Sequence, residues 1–231
     1  MAVELVSECA TCLCKKDIGI ITGMIFGDGC IPNGKKYFRV WHSIKQKEYV
    51  EHKRDVLSSI FGSNLEVSFQ SQKHYSGNIY KTCGFNVYNK DFFTKIYNEH
   101  YFDCKKKYTP QNLGKLNAEG LAYWFMDDGS TGCRIHKERG KTEPSSVYLE
   151  LATYCSFQEA CMIEIYFNDV WGISPRKRKS QTKSCDEVYN ISFNTKESKK
   201  FYEVIKQHII PSMKYKLRFM EAKLSRDHKE I

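Results

Sequence analysis

No apolar run in the 231 residues approaches the length needed to cross a bilayer. That excludes a membrane protein built on spanning helices. The first sixteen residues include Glu4 and Glu8 and lack a long apolar core, so no secretory leader is expected. The expected location is inside a cell, in a bacterial cytoplasm or an organelle. Cysteine is not scarce, with ten residues, but paired knuckles of two-residue spacing are missing. Cys30, Cys83, Cys133, Cys155, Cys161 and Cys185 are scattered, which argues for reduced thiols rather than a disulfide framework. Cys9, Cys12 and Cys14 cluster, with a fourth zinc ligand conceivable at Cys30 or Cys104, but the second knuckle of a structural site is lacking. Acidic residues are in deficit, 27 against 36 Lys and Arg, and the net charge of +9 points to a polyanionic partner rather than an acidic small substrate.

What the chain does contain is one phrase written twice. Ile21-Thr22-Gly23-Met24-Ile25-Phe26-Gly27-Asp28-Gly29 and Leu121-Ala122-Tyr123-Trp124-Phe125-Met126-Asp127-Asp128-Gly129 are both apolar runs ending in Asp-Gly. An internal repeat fixes architecture before any local feature does. Each copy reads as a buried helix that stops abruptly, with Gly29 and Gly129 expected in the left-handed conformation of a helix C-terminus. Asp28 and Asp128 then sit beside carbonyls without intrahelical partners, where the helix dipole is already negative. Two such ends side by side gather the oxygen ligands that a hard divalent cation prefers. Gly23 and Gly27 bare one face of the first helix for close backbone approach. Tyr123 and Asp127 stand at the equivalent places of the second, so the helix pair is expected to pack asymmetrically.

Between the motifs, periodicity sets the other elements. Asp17 is the expected N-cap of the first motif helix. Residues 36–42 read as a strand, 45–61 as a helix stopped by Gly62, and 65–70 as a half-buried strand. Residues 79–88 form its hairpin partner and 90–101 another helix. After the second motif, 129–146 reads as a long polar turn. Strands follow at 147–153, 174–183 and 187–193, with helices at 156–170 and 196–209. The fold class is α+β, with each repeat of order αββαββα. The expected division is a lead-in of residues 1–16, a first repeat over 17–116 and a second over 117–231.

The motif pair resembles the two signatures of the LAGLIDADG homing endonucleases, in the single-chain form that carries both. The stretch Leu121–Gly129 carries the resemblance most specifically. Ile210-Pro211-Ser212-Met213-Lys214-Tyr215-Lys216-Leu217 adds to it, and the likeness spans about Lys16 to Leu217. It implies two antiparallel sheets curved into a DNA-binding saddle, with the motif helices at a pseudo-twofold axis. The implied function is a monomeric, Mg²⁺-dependent endonuclease that cuts double-stranded DNA at a long site, leaves short 3′ overhangs and starts the spread of its own intron. The alternative is an intron maturase that holds its intron RNA on the same saddle.

On this reading Asp28 and Asp128 are catalytic metal ligands. The Asp127 side chain is a rival, but the Asp-Gly junction aligns Asp128 with Asp28. The resemblance adds the carbonyls of Gly27 and Asp127 as auxiliary ligands. It also adds one catalytic lysine per half, at Lys107 and Lys216, which follow their aspartates by 79 and 88 residues. For DNA contact, polar side chains on two-stranded ribbons suit major-groove reading and basic ones hold phosphates. The candidates are Lys35, Lys36, Arg39, Gln70, Gln72 and Lys81 in the first half. In the second they are Arg176, Lys177, Arg178, Lys179, Lys183, Asn190 and Ser192. Which face each strand turns to a groove depends on parity, which a one-residue slip inverts.

Overall fold

The computed structural model of the protein describes residues 13–73, 77–135, 144–181 and 187–227. The candidate zinc ligands Cys9 and Cys12, and the candidate DNA contact Lys183, lie outside the described residues.

The two motif runs form helices because each is apolar on nearly every side. α1 spans Lys15–Phe26 and is buried from Gly19 to Phe26. α5 spans Ala118–Asp128 and is buried from Gly120 to Met126. They pack on each other backbone to backbone. A methyl group at Gly23 would stand 1.9 Å from the Gly120 carbonyl oxygen, and one at Gly120 would stand 2.2 Å from that of Gly19. Phe26, Trp124 and Tyr108 then stack below, with ring centroids 4.8–5.6 Å apart.

Both ends of α1 differ from expectation. The N-cap is Cys14, and Asp17 lies in the first turn, where a carboxylate suits the dipole. Neither Gly29 nor Gly129 is left-handed: Gly129 is extended, with φ −78° and ψ 150°. What both need is room. A Cβ at Gly29 would stand 2.3 Å from the Phe38 ring, and one at Gly129 2.2 Å from the Phe125 ring.

The second half has the full expected order. β6 (Gly129–Ile135), β7 (Pro144–Cys155), α6 (Phe157–Trp171), β8 (Arg176–Gln181), β9 (Glu187–Phe193) and α7 (Thr195–Ile205) follow α5. The four strands make an antiparallel sheet of order β6-β7-β9-β8. The stretch read as a long turn from 129 is therefore largely strand: its small and polar residues hide a period of two, because Tyr148 lies across Gly132. α6 opens on Ser156, which forms a reciprocal capping box with Glu159.

The first half is shorter by one strand among the described residues. β1 (Tyr37–Ser43), α2 (Lys47–Phe61), β2 (Ser68–Lys73), β3 (Ile79–Tyr88) and α3 (Lys90–His100) give a sheet of order β1-β3-β2. Where the second half places β6, the first has a single bridge, Cys30 to Arg39. β2 begins at Ser68 and is exposed on both faces, so it is not the half-buried strand that Leu65, Val67 and Phe69 suggested. It pairs with β3 beyond the reach of the packed helices.

A tight hairpin of β4 (Tyr101–Phe102) and β5 (Lys105–Lys106) leads to the four-residue α4 (Pro110–Leu113) and then α5. Its turn residues Asp103 and Cys104 both take positive φ, 48° and 58°, as a two-residue hairpin requires. After α7, Pro211–Leu217 forms 3₁₀ turns and Arg218–Asp227 the last helix, α8.

Candidate functional site

The packing of α1 on α5 brings Asp28 and Asp128 into one another's electrostatic field. Asp128 ends α5, while Asp28 lies just past α1, in the turn that follows Gly27. They border an open cleft of about 970 Å³, whose walls also include Lys106, Tyr108, Tyr154 and Glu159. Burial pushes the Asp128 carboxyl up to about 7, and the negative charges of Asp28 and Asp127 add to the rise. Lys106 and Lys216 work against it.

Each helix end meets one lysine. The Lys106 ammonium donates to the Gly27 carbonyl. The Lys216 ammonium donates to the Asp127 carbonyl, at 2.7 Å. Burial lowers the pKa of both, and the three aspartates oppose that. The expected counterpart of Lys216 was Lys107; the lysine that contacts the first motif end is its neighbour Lys106. In the hairpin, Lys106 pairs with buried Tyr101, while Lys105 pairs with Phe102, which is 75% exposed. Strand alternation thus turns Lys106 inward. Lys107 follows the strand, lines the same cleft, and gives its backbone N–H to the His100 carbonyl. Lys216 is held from behind, its own carbonyl accepting from the Thr131 hydroxyl.

The Asp127 side chain is fully buried and committed. Both its oxygens accept from the Lys53 ammonium, at 2.7 and 2.8 Å, and Oδ2 also accepts the Asp28 backbone N–H at 3.0 Å. Gly27 leaves the space for it, since a Cβ there would stand 2.3 Å from Asp127 Oδ2. Lys53 is itself fully buried in α2 and also reaches His42 Nε2 at 3.2 Å. Burial first, and the Lys53 charge second, lower the pKa of His42. With Lys53 donating to Nε2, the ring proton is assigned to Nδ1, which faces Gln46 Oε1 at 3.1 Å and Asp28 Oδ2 at 3.4 Å.

Two donor sets could hold a cation. Asp28, His42 and Asp127 place ligand atoms within 4.8 Å of one another. In that set Lys53 already occupies both Asp127 oxygens and His42 Nε2, so only Asp28 is free. The second set is the carboxylates of Asp28 and Asp128 with the carbonyls of Gly27 and Asp127, which accept from Lys106 and Lys216 and would have to be released by them. That set is all hard oxygen, and the raised Asp128 carboxyl marks a buried acid short of compensating charge.

Register sorts the DNA-contact candidates. In the first sheet Phe38, Val40, Phe85 and Val87 face the helices. Arg39, Gln70 and Gln72 therefore share the opposite, open face, with Trp41 lying over Gly84 and Arg39 5.3 Å above the Trp41 ring. Lys81 pairs with Ser71 on the other parity. Lys35 folds back onto α3, bonding Asn98 Oδ1 at 2.9 Å and covering the Tyr97 ring. Lys36 is exposed just before β1. In the second sheet Arg176 and Ser192 pair on the open face, as do Arg178 and Asn190. Lys177 and Lys179 fall on the helix side, where Lys177 pairs with Glu164 of α6, and Lys179 with Glu187 at 2.5 Å. Asn190 is buried, with its amide spent on Glu150 and the Tyr154 N–H, so it is not available to a base edge. Glu150 also fixes Arg178, at 2.6 Å.

Sequence reading missed His42, Lys53, Lys106 and Glu150. For Lys53 a signal exists: Tyr49, Lys53 and Leu57 share one helical stripe, and all three are buried. A lysine in mid-stripe announces a buried partner.

Residues 18–201 match the LAGLIDADG DNA endonuclease family. A "Probable intron-encoded endonuclease 1" of Wickerhamomyces canadensis is 28% identical over 216 residues, covering 90% of this chain and 87% of that one. "Protein RecA" of Mycolicibacterium chitae is 26% identical over 212 residues, covering 89% of this chain but 47% of the relative. The chain thus spans about half the length of the RecA relatives it matches. Among solved structures, the homing endonuclease I-WcaI bound to its DNA recognition sequence superposes with a TM-score of 0.73 at 23% identity, over 90% of this chain and 88% of that one. The meganuclease I-SmaMI bound to uncleaveable DNA superposes at 0.54 and 12% identity, over 94% of this chain and 93% of that one. At such identities these two likenesses concern the fold.

Proposed function

The chain belongs to the LAGLIDADG DNA endonuclease family, and we propose that it is a monomeric, site-specific endonuclease that hydrolyses both strands of a long duplex site. The observation that carries this reading is the pairing of two helix ends, each with an aspartate and a lysine beside it: Asp28 with Lys106, and Asp128 with Lys216. Asp28 and Asp128 would hold Mg²⁺ together with the Gly27 and Asp127 carbonyls, since every donor is oxygen. When bound, such an ion relieves charge on the phosphate and makes water a better nucleophile.

The chain's own residues do the rest. Lys106 and Lys216 are half-buried ammonium groups beside the two helix ends, and they would offset the charge that builds on the phosphate oxygens. Their present partners are carbonyls, so turning toward a phosphate breaks no ion pair. The open sheet faces would lie along the duplex, with Arg39, Gln70, Gln72, Arg176, Arg178 and Ser192 toward base edges or phosphates. A net charge of +9 implies affinity that falls steeply with salt. Two halves of about one helical turn each imply a site on the order of two turns. Initiation of intron mobility is the biological role that such a cut would serve.

The test is selection of cleaved molecules from a randomised duplex library, with Mg²⁺ and with Ca²⁺, followed by binding to folded intron RNA. Discrete double-strand cuts that require Mg²⁺ are expected. Tight RNA binding without cutting under any condition would replace the endonuclease with a maturase.

A further inference from the structure

The two halves can be aligned through their own geometry. α2 and α6 each have 15 residues and each close on a left-handed glycine, Gly62 and Gly172. That alignment sets Lys53 opposite Ile163. The bridge Cys30 to Arg39 corresponds to the pair Ser130 and Glu150, which sets His42 opposite Thr153. The motifs set Asp127 opposite Gly27. The first half thus holds a buried network of Lys53, His42 and Asp127. At the corresponding places the second half has buried Ile163, a Thr153 hydroxyl bonded to the Tyr189 carbonyl at 2.8 Å, and a bare glycine.

We propose that Lys53 is a positioning residue that fixes Asp28 through Asp127 and His42, and so governs the cutting of one DNA strand more than the other. The inference rests on the endonuclease reading above. Lys53 clamps Asp127, whose Oδ2 takes the Asp28 backbone N–H; Lys53 also orients His42, whose Nδ1 faces the Asp28 carboxylate. Both the main chain and the side chain of Asp28 are therefore held from one buried ammonium. Stability is a poor reason for this arrangement, because a buried ion pair rarely outperforms apolar residues of the same volume. Ile163 fills the same place in the other half without one. Among the described residues, the Asp128 carboxylate accepts no hydrogen bond from a comparable clamp.

Lys53→Met alone would strand the Asp127 charge, so the informative variant is Lys53→Met with Asp127→Asn, which removes both charges at nearly constant volume. A duplex carrying the selected site is labelled on each strand in turn, and the two cutting rates are measured separately. The expected result is a loss of about 10- to 100-fold on one strand with much less on the other, seen as nicked intermediate, in line with the usual weight of supporting groups around a metal ligand. DNA affinity in chelator should be unchanged and the melting temperature equal or higher. Equal slowing of both strands, or no slowing, would overturn the proposal. If the wild-type protein cuts no DNA, the endonuclease reading falls on that result alone. Calorimetric Ca²⁺ titration of the DNA-free protein then decides the positioning claim: a weaker site in the variant supports it, and an unchanged site, or none in the wild type, overturns it.

Discussion

The two motif ends present the same chemical group in opposite settings. Asp28 is half exposed, and its main chain and carboxylate are held by Asp127 and His42. Asp128 is half-buried, meets no such clamp among the described residues, and has its carboxyl pushed up to about 7. One aspartate is positioned by neighbours, and the other by the helix that it ends. A pseudo-symmetric fold therefore need not give equivalent centres: a glycine exchanged for an aspartate, and an isoleucine for a lysine, divide the work unequally.

The largest effect should come from the lysines, where the halves agree. Lys106→Ala and Lys216→Ala are each expected to slow cutting on the order of 10²–10³-fold, the usual weight of one donor to developing charge. Lys107→Ala should leave single-turnover rates nearly unchanged. If Lys107 proves essential and Lys106 dispensable, the hairpin register is wrong.

Next comes stability, where the halves differ. In chelator, the folded protein keeps a proton on Asp128 that the unfolded chain releases near pH 4. Stability on this account falls as pH rises from about 4 to 7, and the full cost, at most about 4 kcal/mol, persists above 7. Asp128→Asn removes that cost. It should melt higher than the wild-type protein at pH 8, with the difference vanishing near pH 4 in calorimetric scans. A variant that melts lower at pH 8 would remove the buried-acid argument.

Helix packing gives a smaller effect of opposite sign. Gly23→Ala should destabilise by roughly 1–3 kcal/mol in denaturant titrations, because its methyl meets backbone that cannot yield. Gly34→Ala, with nothing within 4 Å, should change little. Smallest is a contrast within one strand. Arg178→Ala should relax preference at one base pair by about 1–3 kcal/mol in competition binding. Lys177→Ala, on the helix side, should leave base preference alone.

Much of this was legible in the sequence, and the failures share a cause. The repeat, the motif helices, the α+β order and the pairing of Asp28 with Asp128 follow from apolar runs that local chemistry terminates. The resemblance points to Lys107, whereas the contact of Lys106 with the motif end follows from a hairpin turning through left-handed Asp103 and Cys104, whose parity no local pattern announces. Lys177, Lys179 and Lys81 are candidates on charge, and the face each takes depends on the same one-residue parity. The bond of Asn190 to Glu150 is not legible locally, because the two lie 40 residues apart in sequence. The missing strand of the first half, reduced to the bridge at Cys30, likewise depends on pairing rather than propensity.

The most direct measurement is strand-resolved cleavage of the selected site by the wild-type protein, Asp28→Asn and Asp128→Asn, alongside DNA binding by each. The account predicts Mg²⁺-dependent cutting of both strands by the wild-type protein, and its loss in each variant with binding retained. Cutting that survives either substitution, or that persists in chelator, would contradict it.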